Sequence, residues 1–96
     1  MGKNYYTYIL ANKRNNVVYV GVSDDLVKRV WQHKNKVVKG FTQKYNVDRL
    51  VYYEIYENPE EAINREKQLK GGSRDDKVAL VNKMNSEWKD LYEGLF

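Results

Sequence analysis

Tyr5-Tyr6-Thr7-Tyr8-Ile9-Leu10-Ala11 and Val17-Val18-Tyr19-Val20-Gly21-Val22 are two runs of β-favouring residues separated by the polar stretch Asn12-Lys13-Arg14-Asn15-Asn16. Tyrosine and valine suit a pleated, half-buried surface, and five polar residues match a hairpin connection. The pair therefore reads as a β-hairpin. Strand alternation sets Tyr6, Tyr8 and Leu10 on one side of the first strand, and Val17, Tyr19 and Gly21 on one side of the second. Tyr8 and Tyr19 can then share a face. Paired aromatics stabilise hairpins without further purpose, and the chain has nine tyrosines, so the pairing alone is ordinary. Gly21 is less so, because glycine weakens a strand and marks places where another backbone or a ligand comes close.

Beyond the hairpin the period changes. From Asp24 to about Lys36, Leu26, Val27, Val30 and Trp31 recur at helical spacing, with Ser23 placed as N-cap and two aspartates in the first turn. Leu50 to Tyr56 returns to β-favouring residues as a third strand. Asn58 then caps a helix with Pro59 first and Glu61 third, a capping-box arrangement that runs to the Gly71-Gly72 stop. A last helix starts at Ser73, with Asp76 three residues on, and is expected to carry Val78, Leu80, Val81 and Met84 inward. The expected order is β-β-α-β-α-α, an α+β fold.

The chain has 96 residues, 42% of them hydrophobic, and a net charge of +4. That length suits one domain, residues 1–96, with one modest core. Without cysteine there is no disulfide, thiolate metal site or thiol nucleophile. With one histidine, a metal must sit on oxygen ligands, which points to magnesium or manganese rather than zinc. No run approaches the roughly 18 apolar residues of a membrane span, and no export signal opens the chain. No membrane association is expected, and the expected compartment is cytoplasmic. Charge is uneven: Asp24 to Lys44 holds six basic and two acidic residues, whereas Tyr45 to Glu66 holds two basic and six acidic. The first helix and the loop after it thus form a basic patch, either a solvated face or a nucleic-acid footprint.

Three residues carry possible chemistry. Arg29 and His33 lie four apart on the first helix, where an arginine fork can hold a phosphate and an imidazole can donate to one or transfer a proton. Their ordinary explanation is a surface ladder. Glu66 is more informative. With Ala62 at zero on a helical wheel, Ile63 falls near 100°, Leu69 near −20° and Glu66 near 40°, inside the apolar stripe. An ionised carboxylate left unpaired there costs on the order of several kcal/mol, so it needs a cation, a tight hydrogen-bond set or a metal. Arg29 could satisfy it as a purely structural ion pair.

Taken in order, Tyr6-Thr7-Tyr8, Tyr19-Val20-Gly21, Arg29, His33 and Glu66 resemble the GIY-YIG nuclease superfamily, and most of all its small stand-alone members. That superfamily includes homing endonucleases and the N-terminal domain of the excision-repair nuclease C subunit. Tyr8 takes the place of the first motif tyrosine, Tyr19 and Gly21 those of the second motif, Arg29 that of the helix arginine and Glu66 that of the metal-binding glutamate. Tyr6 stands where the first motif has its glycine. The late asparagine of the family corresponds to Asn85 or Asn82, and Asn85 is preferred. The resemblance implies a three-stranded antiparallel sheet flanked by helices and phosphodiester hydrolysis with one divalent metal, Mg2+ or Mn2+, on Glu66.

Under that resemblance the catalytic set is Tyr8, Tyr19, Arg29, His33, Glu66 and Asn85. The metal polarises a phosphate oxygen and stabilises the leaving 3′ oxygen, while Arg29 neutralises charge developing on the phosphorane. Tyr8 or Tyr19 takes the proton from the attacking water; Tyr8 is assigned as base, with Tyr19 orienting water and phosphate. An unperturbed phenol of pKa about 10 is roughly 0.1% ionised at pH 7, so this role needs about 4 kcal/mol of local cationic help. Lys28, Lys34, Lys36, Lys39 and Lys70 read as cations on the nucleic-acid backbone, with Gly21 allowing close approach. The expected partner is nucleic acid, DNA before RNA, in repair, with a targeting protein partner allowed and the oligomeric state open. The competing expectations are a binding module without turnover and a structural domain in which Glu66 and Arg29 merely pair.

Overall fold

Tyr5–Ala11 forms strand β1 at the centre of a three-stranded antiparallel sheet, with β2 (Val18–Ser23) on one side and β3 (Arg49–Tyr56) on the other. The structure, a computed structural model, describes residues 3–96. Thr7 to Ala11 are all buried, so β1 is covered on both faces and reads as a continuous apolar run rather than a strict alternation. One face packs Tyr8 and Leu10 with Leu26, Val30, Val47 and Leu50. The other packs Ile9 and Ala11 with Val20, Val51, Leu69 and Val81. Thr7, the one polar residue of this run, donates its hydroxyl to the Ala62 carbonyl at 2.7 Å, which removes the penalty of burying it.

The hairpin register places Tyr8 opposite Gly21 and Leu10 opposite Tyr19, as the alternation requires. Between β1 and β3, Ile9 faces Tyr52 and Leu10 faces Leu50. Val51 is therefore the extra residue of a bulge that lets both Val51 and Tyr52 enter one core. The outer edge of β3 does not stand open at its start. The Leu91 N–H donates to Leu50 O at 2.7 Å, and the Leu50 N–H donates to the Asp90 carboxylate at 3.2 Å.

The helices are α1 (Leu26–Lys34), α2 (Phe41–Lys44), α3 (Pro59–Gly71) and α4 (Arg74–Met84), with a 3-10 turn at Glu93–Leu95. Helix α1 starts later than the sequence suggests. Strand β2 continues through Ser23, so Asp25 is the N-cap and accepts the Lys28 N–H, while the Ser23 hydroxyl accepts the Asp25 N–H. Asn58 caps α3 through the Glu61 N–H, and Ser73 with Asp76 forms a complete capping box on α4. Within α4 only Val81 is fully buried, whereas Met84 faces solvent at the last turn. The single turn α2 leaves no period for a sequence to display, and it is entered through Gly40 at φ 110°, a value that suits glycine.

Candidate active site

The site lies along β2, an edge strand, where the layer carrying α1 and the layer carrying α3 meet. Its geometry begins with a missing side chain. Tyr8 sits opposite Gly21, and its ring lies across the glycine so closely that a Cβ there would fall 2.4 Å from both Cζ and Oη of Tyr8. The close approach expected at Gly21 is thus made by the chain's own phenol. That crossing carries Tyr8 Oη to 3.2 Å from Nε2 of His33 on α1. The other ring nitrogen, Nδ1, is 3.0 Å from the Thr42 hydroxyl on α2. Both imidazole nitrogens therefore have buried partners.

Tyr19, opposite Leu10 on the same face, brings its ring to 5.7 Å from that of His33. From the other layer, Lys70 on α3 reaches round the strand and holds its ammonium 5.5 Å from the centre of the Tyr19 ring. The same ammonium is 3.2 Å from the Glu66 carboxylate, one helical turn earlier. The Glu66 side chain retains 18% of its exposure, so it lies at the rim of the apolar stripe rather than inside the core. Ala62 and Leu69 are the buried residues of α3, and Ile63, expected inward, is exposed. Glu66 therefore needs no buried counter-ion. Arg29 makes no ion pair among the described residues, which removes the purely structural Arg29–Glu66 pairing.

Electrostatics tie these groups together. Tyr8, only 2% exposed, has its phenol pushed well above the usual range by burial first, then by Tyr19 and Glu66, with the Arg29 guanidinium opposing. His33 is lowered to about 4 by burial and next by Arg29, so it is neutral at pH 7, with one ring nitrogen donating and the other accepting in its two hydrogen bonds. Arg29 also lines a small polar cavity of about 140 Å³ with Ser23, Asp25 and Gln32. Tyr8, Tyr19 and His33 are thus in contact, Glu66 is linked to Tyr19 through Lys70, and the charge of Arg29 is felt at both Tyr8 and His33.

Other expected residues are placed elsewhere. Asn85 does not join this cluster: its amide donates to Val51 O and Lys89 O and accepts the Lys89 N–H, closing the end of α4 onto β3. Lys34 pairs with Asp90 and lies over the Tyr92 ring, and Lys36 pairs with Asp48 at 3.3 Å. The basic patch is therefore thinner than its residue count, with Lys28 and Lys39 making no ion pair among the described residues. Tyr6, in place of the motif glycine, packs edge-on against Tyr53 of β3.

The sequence reading missed α2 and what it carries. Thr42 fixes the His33 ring, and Phe41 stacks on Tyr19 at 6.3 Å and packs at a tilt against Tyr45 at 4.9 Å. Lys44 lies over Tyr45. Phe41 and Tyr45 are exposed, so an aromatic row runs from the tyrosines out to solvent. The aromatic and basic composition of residues 41–45 was the available signal.

An antiparallel sheet of this order, with two motif tyrosines brought to one edge beside a helix arginine, a histidine and a glutamate, defines a class. The chain belongs to the GIY-YIG family, whose members are typically nucleases: the family's catalytic-domain model matches residues 4–85. It is similar to a UPF0213 protein of Clostridium perfringens, with 35% identity over 80% of this chain and 82% of the relative. A UPF0213 protein of Staphylococcus saprophyticus is 32% identical over 81% of this chain and 94% of its own. The solution NMR structure of a UPF0213 protein from Bacillus halodurans superposes with a TM-score of 0.58 at 28% identity, covering 94% of this chain and 95% of that one.

Proposed function

We propose that residues 1–96 form one domain that hydrolyses phosphodiester bonds in nucleic acid, DNA before RNA, with one divalent cation, Mg2+ or Mn2+, held by Glu66. The observation that supports this reading is the gathering of Glu66, Tyr19, Tyr8 and His33 about β2, where the Tyr8 ring crosses Gly21 to meet His33. The residues fit such a cation. Glu66 is an oxygen donor partly open to solvent, and no cluster of three or more acidic or histidine side chains gathers among the described residues. One carboxylate, completed by phosphate oxygens and water, is how magnesium is commonly held. When bound, the cation polarises the phosphate and stabilises the leaving oxygen.

The chain's own residues do the rest. Arg29 offsets charge gathering on the phosphorane. Burial favours Tyr19 over Tyr8 as the base in this reading. Burial holds the Tyr8 phenol above its ordinary range and lowers the imidazole beside it, so both shifts oppose moving the Tyr8 proton onto His33. Tyr8 thus serves this reading as a buried anchor, bonded to His33, that fixes the wall of the site without touching water. Tyr19, partly exposed beside Lys70, is the phenol that solvent can reach, and it takes the base role first given to Tyr8. Lys28 and Lys39 hold the phosphate backbone, and Phe41 and Tyr45 offer faces on which unpaired bases can stack. A repair setting, a targeting partner and a cytoplasmic location belong to the same proposal. No helix among the described residues is long and apolar enough to cross a membrane.

A binding module without turnover has one observation in its favour, the ammonium already seated on the Glu66 carboxylate. The deciding experiment incubates the protein with duplex, single-stranded and branched DNA and with RNA, with and without Mg2+ or Mn2+, beside Glu66→Ala. Metal-dependent nicking lost in Glu66→Ala is the expected result. Salt-sensitive binding with no turnover on any substrate would establish the binding module instead.

A further inference from the structure

Lys70 has two partners at once. Its ammonium is 3.2 Å from the Glu66 carboxylate and 5.5 Å from the centre of the Tyr19 ring. The lysine side chain is 48% exposed and the carboxylate 18%, so the two ends of this i,i+4 pair differ in freedom. The acid is held against the fold, whereas the lysine swings on a flexible four-carbon stem. Exposed pairs of this kind are weak. A divalent cation can therefore take the carboxylate, but the ammonium then stands beside a like charge with no carboxylate of its own.

We propose that Lys70 competes with the divalent cation for Glu66, and that nucleic acid relieves the competition by giving the displaced ammonium a phosphate partner. The inference rests on the assignment of Glu66 as the metal ligand. It makes metal and nucleic acid bind cooperatively, each tightening the other by the same factor. Without substrate the site holds metal poorly, and Lys70 keeps the acid neutralised and oriented. With substrate, the displaced ammonium stays at the rim marked by Tyr19, where it contacts the phosphate backbone. Lys70 is thus a positioning residue that sets when the site loads.

The test measures Mn2+ binding by electron paramagnetic resonance to wild-type protein, Lys70→Met, Lys70→Arg and Glu66→Gln. Each is taken alone and with an oligonucleotide of non-cleavable linkages, and circular dichroism checks folding. Lys70→Met is expected to bind Mn2+ about three- to tenfold tighter than wild type without nucleic acid, because one nearby positive charge is gone. It should also gain less from the oligonucleotide. Lys70→Arg, which keeps the charge, should stay near wild type. Unchanged or weaker Mn2+ binding by Lys70→Met, with Glu66→Gln having lost the ion, overturns the competition and leaves the metal site standing. Mn2+ binding that survives Glu66→Gln overturns the metal site and the competition together.

Discussion

Arg65 and Glu66 are adjacent on α3, yet they stand on opposite flanks of its buried face and meet very different surroundings. On the Arg65 flank, its guanidinium donates to both oxygens of Glu54 at 2.9 and 3.1 Å and to Gln68 at 2.7 Å. Tyr52 and Tyr56 donate their hydroxyls to the same carboxylate. Burial works against ionisation of Glu54, but these hydrogen bonds outweigh it and hold its carboxyl below the ordinary range. The two phenols are in turn pushed up to about 12, by burial first and by Glu54 next. Every strong group there has a partner. On the Glu66 flank one acid has one half-exposed lysine. A saturated network fixes helix to sheet, and an under-coordinated acid at a solvent-facing edge is available to a ligand.

The sharpest way to break this contrast is Glu66→Gln. The variant keeps shape and removes charge, so cleavage with Mg2+ should fall by about a thousandfold, ~4 kcal/mol of transition-state stabilisation. The urea midpoint should stay within error, because the Glu66–Lys70 pair is partly exposed and weak. Single-turnover kinetics beside a urea melt read both quantities. A variant that cleaves normally would remove Glu66 from the chemistry.

Next in size is a pH effect at the other end of the site. The folded pKa of His33, about 4, lies below its unfolded value near 6.5, so the unfolded chain binds the proton more tightly. The stability is fully present above pH about 6.5 and is lost as pH falls through the window down to about 4. The shift is worth on the order of 3 kcal/mol. Urea midpoints from pH 7 to pH 4 should show this loss in wild type, and the part missing from His33→Gln belongs to the imidazole. Parallel curves for the two proteins would show that His33 titrates normally.

Much of this arrangement was legible in the residues. The hairpin, its face assignment and the caps of α3 and α4 follow from local chemistry that tertiary packing does not overturn: β-branched and aromatic runs, Asn58 before Pro59, and Ser73 before Asp76. Tyr8, Tyr19 and Gly21 could be placed on one face because a strand's period of two leaves little freedom. Glu66 was placed at the right angle and misplaced in depth, since a wheel gives an angle and not a distance from the rim. Asn85, Lys34 and Lys36 illustrate the opposite limit. Their partners, Val51, Asp90 and Asp48, are 12 to 56 residues away in sequence, and nothing in a charge count reveals such pairing. Thr42 was invisible because a single helical turn has no period.

Gly21→Ala sharpens the same comparison from the open flank. The new methyl would sit 2.4 Å from the Tyr8 ring, which is backed by a buried core and held by His33, so ring or strand must shift. A cost of about 1–3 kcal/mol is expected, together with a loss of cleavage, because Tyr8 leaves its place. Tryptophan-monitored unfolding and the single-turnover rate report the two effects. Wild-type values for both would mean that Tyr8 can move without consequence.

Arg65→Ala carries the smallest expected energy and the clearest test of separateness. Its removal leaves Glu54 facing two phenols without a cation, yet the Arg65 and Glu54 side chains keep 25% and 18% of their exposure, so water replaces part of what is lost. The expected cost is therefore about 1–2 kcal/mol, well short of that for breaking a sealed pair. Cleavage per folded molecule should stay within about twofold, because the lost contacts run to β3 while the candidate site runs along β2. If Arg65→Ala instead lowered the rate as far as Glu66→Gln at equal folded fraction, the two flanks would be one coupled unit, and neither could be called merely structural.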